Sequence, residues 1–78
     1  MFVLIDEKTI LQKAYKKFKE GSPLEYKLSD IPPNEKETLW KQIDQLENKG
    51  LISVKAYYYC RVIQLTTYGV NYVENYLI

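Results

Sequence analysis

The chain contains no histidine. That removes the commonest ligand of zinc and copper sites and the commonest general base. Cysteine is nearly absent as well. Cys60 stands alone, so no internal disulfide can form, which fits a reducing compartment. No apolar run approaches the length needed to span a bilayer. The opening "MFVLID" is apolar for only five residues and lacks a basic flank, so it is not read as a secretion signal. There is no Gly-rich phosphate loop, spaced carboxylate pair, repeat or low-complexity tract. The expectation is a cytoplasmic protein that is not an enzyme, with no metal, no cofactor and no membrane association.

What is present suits one small domain spanning 1–78. Seventy-eight residues support only a marginal core, which dimerisation would help. The hydrophobic share, 46%, is too high for disorder. A net charge of +1 gives no global pull toward nucleic acid or membrane.

Periodicity divides the chain into elements. Asp6 is placed to cap a first helix, with Ile5 and Ile10 as a hydrophobic staple. Ile10, Leu11, Ala14 and Phe18 recur at helical spacing, and Gly21 stops the helix. The segment 22–31 has two readings. Ser22, Pro23 and Glu25 compose a helical capping box, whereas Leu24, Tyr26 and Leu28 alternate as a strand. A short strand followed by a short helix is the reading adopted. Asn34 is expected to cap the next helix, with Glu37 completing its box. Leu39, Trp40, Ile43 and Leu46 form its apolar stripe, and Gly50 ends it.

After Gly50 the period becomes two. Ile52, Val54 and Ala56 alternate with Ser53 and Lys55, and Arg61, Ile63 and Leu65 alternate with Val62, Gln64 and Thr66, giving a hairpin that turns near Tyr57–Tyr59. Val62 is apolar beside Ile63, so one strand is expected to be covered on both faces, with "FVLI" as a candidate cover. Thr66 caps a last helix with Val70, Val73 and Leu77 on one face. Gly69 inside that helix costs about 1 kcal/mol relative to Ala, which a tight approach to a neighbour would explain.

This order of elements resembles a winged helix-turn-helix domain. "LWKQIDQLENKGLI", 39–52, looks like the third helix of that family running into the wing. "LTTYGVNYVE", 65–74, is similar to the segment after the wing in MarR-type and PadR-type regulators. It also resembles small YjcQ-type winged-helix proteins of Gram-positive bacteria and their phages. The likeness covers about 5–77 in element order, with its specific motifs in 39–74. It implies an α+β fold with a three-helix core, a two- to three-stranded wing and a C-terminal helix. It also implies a bacterial or phage DNA-binding transcriptional regulator.

In that mode the helix over 34–49 enters the major groove of double-stranded DNA and the 51–65 hairpin lies alongside. With Leu39 at the centre of the buried stripe, Thr38, Lys41, Gln45 and Asn48 point outward. Lysine can pair with guanine, and Gln and Asn can meet adenine. Lys55 and Arg61 flank the hairpin as phosphate contacts, and Tyr57, Tyr58 and Tyr59 sit at its tip, with Tyr57 and Tyr58 as the candidate contacts. The implied assembly is a homodimer through Phe2, Val3, Leu4, Tyr76, Leu77 and Ile78.

Two features run against strong DNA binding. Glu35, Glu37, Asp44 and Glu47 outnumber Lys36, Lys41 and Lys49 on one helix, and Pro32 and Pro33 shorten or break the helix before it. A plain solvated face is the simpler account of that helix. Solubility is the simpler account of Lys8, Lys13, Lys16, Lys17 and Lys19 on helix one. Trp40 is expected in the core, Cys60 as an inert buried thiol, and Tyr15 and Tyr26 at its edge. The competing function is a protein-interaction adaptor on the same fold, in which the tyrosine hairpin and an apolar terminal patch bind another protein.

Overall fold

The computed structural model describes residues 6–77. Ile5 of the expected staple lies outside that range, as do the "FVLI" cover and the dimer candidates Phe2, Val3, Leu4 and Ile78.

Helix α1 spans Glu7–Glu20. Asp6 Oδ1 accepts the Thr9 amide at 2.8 Å, which satisfies one of the free donors at the helix start. That hydrogen bond holds the Asp6 carboxyl below its ordinary pKa. Gly21 ends the helix at φ 77, a backbone geometry costly for any residue with a β-carbon. The Gly21 and Ser22 amides donate back to Phe18 and Lys17. Ile10, Leu11 and Ala14 are buried, but Phe18 is not: it is 48% exposed and lies against Tyr15, with ring centroids 6.3 Å apart. The buried stripe of α1 stops one turn before Phe18.

Strand β1, Leu24–Lys27, and a single 3-10 turn, Leu28–Asp30, follow. The alternating reading of this stretch therefore holds, and the capping-box helix does not form. Helix α2 runs Pro33–Asn48. Asn34 does not cap it: Pro32 precedes the helix, no side chain bonds its first turn, and Asn34 lies inside. Pro33 takes the first helical position instead: its ring presets a helical φ, and it removes one of the four free amide donors. Leu39, Ile43 and Leu46 are fully buried, and Trp40 flanks them half-buried. Gly50, at φ 78, closes α2 as Gly21 closes α1, and the Leu51 amide reaches back to the Leu46 carbonyl.

Strands β2, Ile52–Ala56, and β3, Cys60–Leu65, form the hairpin, and β1 adds to its other side in the order β1-β3-β2, all antiparallel. Ile63 on the central strand faces Leu24 on one side and Val54 on the other. This row meets the helices, and Ile63 is fully buried. Val62, on the alternate position, is half-buried.

Helix α3, Thr67–Tyr76, begins at a junction built by Thr66. The Thr66 hydroxyl donates to the Gly50 carbonyl at 2.6 Å and accepts the Gly69 amide at 3.0 Å. Its own amide donates to the Leu51 carbonyl at 3.1 Å. One residue thus joins the end of α2, the base of the hairpin and the start of α3. The expected cap at Thr66 and the tight approach at Gly69 are both present, and Val73 is fully buried.

Among the described residues, three α-helices and a three-stranded antiparallel sheet make this an α+β fold, with an arrangement compatible with a winged helix. It departs from the expected three-helix core plus C-terminal helix at one place. Where the short second helix was expected, the described residues hold a single 3-10 turn, which Pro32 follows two residues later. No helix among the described residues is long and apolar enough to cross a membrane.

Candidate functional site

Burying Leu39, Ile43 and Leu46 turns the opposite side of α2 to solvent. Thr38, Lys41, Gln45 and Asn48 all lie on that side and are exposed. Glu37, Asp44 and Glu47 are exposed on the same helix, so the surface is mixed in charge.

The hairpin tip stands beside the first half of α2. Its backbone is fixed from two directions: the Tyr57 amide donates to the Cys60 carbonyl and the Leu28 amide to the Tyr59 carbonyl, both at 2.8 Å. Those bonds leave the three tyrosine side chains outside. Tyr57, Tyr58 and Tyr59 are all exposed, and Tyr58 is 101% exposed, as open as in an extended chain. A groove of about 200 Å³ separates tip from helix, with Leu28, Trp40 and Cys60 among its lining and Lys36 at its edge. Lys55 is exposed on β2. Cys60 itself is buried.

Arg61 stands apart from the other residues nominated from sequence. Its guanidinium lies over the Trp40 ring, 4.5 Å from the centroid, and its Nη1 donates to Asp44 Oδ1 at 3.1 Å. Sequence reading missed this pairing, since Asp44 and Arg61 are 17 positions apart on different elements. It also missed Lys36 as lining of the groove.

Two larger cavities lie elsewhere. One of about 470 Å³ opens between α1 and α3 beside Leu51 and Tyr72. There Lys49 Nζ donates to Glu7 Oε2 at 2.7 Å, which raises the Lys49 pKa. Another of about 370 Å³ lies between α1, β1 and the start of α2, beside Tyr26, whose phenol is pushed up in pKa by burial. Neither is lined by the outward residues of α2 or by the hairpin tip. Size does not decide between these places, because an extended partner is read by a projecting surface, not by an enclosed cavity.

Of the dimer candidates within the described range, Tyr76 is exposed and packs on Tyr72 at 5.1 Å between centroids. Leu77 is half-buried against the chain's own core. Among the described residues no group of three or more His, Cys, Asp or Glu side chains could hold a metal ion. No protein-family model matches the chain, and neither the curated proteins nor the solved structures yield a match.

Proposed function

We propose that this chain is a winged-helix domain that reads double-stranded DNA, with α2 in the major groove and the β2–β3 hairpin as the wing. The observation that carries the reading is adjacency. The exposed tyrosine tip meets α2 across one groove, at Lys36 and Trp40, and Thr38, Lys41, Gln45 and Asn48 of the same helix are exposed. The strand order β1-β3-β2 and the helix that follows the hairpin suit the same fold.

In this mode Lys41 meets a phosphate or guanine, and Gln45 and Asn48 reach base edges. Lys55 and the phenols of Tyr57 and Tyr58 take the backbone beside the groove. The acids on α2 make each half-site contact weak. Two copies binding together, paired through Tyr76 and the chain ends, would convert weak contacts into useful avidity.

The test is titration into random duplex DNA at several salt concentrations. A reader binds with a negative log–log salt slope, and replacing Lys41 reduces that slope by about one. No binding at low salt contradicts the proposal.

One observation favours a second reading. Three exposed tyrosines beside the Trp40 groove, with Arg61 already paired, also suit a protein interface. In that case the chain is an adaptor, and absence of DNA binding is its expected result.

A further inference from the structure

We propose that Arg61 is a positioning residue that holds the β2–β3 hairpin at a fixed angle to α2 and does not itself contact phosphate. The inference deepens the DNA reading, but its structural half stands without DNA.

Geometry gives the reason. Trp40 and Asp44 are four residues apart on α2, so they present neighbouring side chains on one side of the helix. Arg61 leaves the central strand and meets both. Its plane lies over the indole at 4.5 Å, and one N–H reaches the carboxylate at 3.1 Å. Opposite Arg61 on β2 stands Ala56, small enough to leave the guanidinium its path. The Arg61 side chain is only 24% exposed, against 59% for Asp44. A flat, delocalised cation suits this double contact, and a lysine does not.

The contact is placed where it matters for the tip. Arg61 follows Cys60, whose carbonyl accepts the Tyr57 amide, so fixing residue 61 fixes the turn that carries Tyr57–Tyr59. The charge is also spent. A guanidinium neutralised by a neighbouring carboxylate adds little to counterion release, which is the source of phosphate affinity.

Trp40 is the only tryptophan, so its emission reports on this contact directly. Arg61→Met and Arg61→Lys are compared with Lys41→Met. The proposal expects both Arg61 variants to shift Trp40 emission and to speed exchange of the Tyr57 amide about tenfold, with the core amides unchanged. If duplex DNA binds, Arg61→Met weakens binding severalfold while the salt slope stays within about half a unit, and Lys41→Met lowers the slope by about one. Unchanged emission and exchange in Arg61→Met overturn the proposal. So does an Arg61→Lys protein that behaves as the parent, because charge alone would then suffice. A slope reduced by about one in Arg61→Met overturns it too, by making Arg61 a phosphate contact. If no variant and no parent bind DNA, the DNA reading fails, and emission and exchange alone still decide the role of Arg61.

Discussion

Gly69 is pressed against the Leu51 carbonyl: a β-carbon placed on it would overlap that oxygen and stand 2.9 Å from the carbonyl carbon. Leu51 and its carbonyl are fixed in turn by the Thr66 amide and by the end of α2. The two nearest obstacles are backbone atoms, which cannot move aside as a flexible side chain can, and Leu65 Cδ2 stands 3.1 Å away as well.

Gly69→Ala is therefore expected to destabilise the protein although alanine is the better helix former. Helix propensity returns about 1 kcal/mol. Forcing α3 away from Leu51 costs about 1–3 kcal/mol, or more where backbone must shift. A urea midpoint higher than that of the parent would contradict the close approach.

Ile63 and Phe18 should separate sharply in the same assay. Ile63 is fully buried between Leu24 and Val54 at the centre of the sheet. Ile63→Ala is expected to cost about 2–5 kcal/mol. Phe18→Ser, at a half-exposed site stacked on Tyr15, is expected to change stability by no more than about 0.5 kcal/mol. Equal losses would return Phe18 to the core.

These residues also show what the sequence made legible. Local signals held. Asp6, Gly21, Gly50 and Thr66 act within a few residues of themselves, and the cap and turn geometries are where their chemistry places them. The change of period after Gly50 marked the hairpin, because alternation follows from a sheet with one face on the helices. Phe18 misled because helical spacing fixes a direction but not how far the neighbouring core extends. Asn34 misled because a good capping residue lost to a proline one position earlier. On the candidate surface, the outward residues of α2 followed from its buried stripe. The engagement of Arg61 with Trp40 and Asp44 could not be read, since it depends on how the hairpin crosses α2.

Acid should weaken the start of α1. The Asp6 carboxylate accepts the Thr9 amide, and that bond depresses its pKa in the folded state below the ordinary value of 3.8. A group depressed on folding contributes stability above its unfolded pKa and loses it as the pH falls through the folded one. Asp6→Asn keeps a capping oxygen without a titrating proton. The difference in urea midpoint between parent and Asp6→Asn should therefore change on acidification from about pH 5 to about pH 2 and be flat above that window. A constant difference across it would remove Asp6 from the account.

Mapping backbone amide shifts by NMR while short duplex DNA is added at low salt tests the central claim most directly. The account predicts perturbations concentrated on the outward side of α2, at Thr38, Lys41, Gln45 and Asn48, together with the hairpin tip at Tyr57–Tyr59, fading as salt is raised. Perturbations confined to α1 and α3, or none at all, would contradict it.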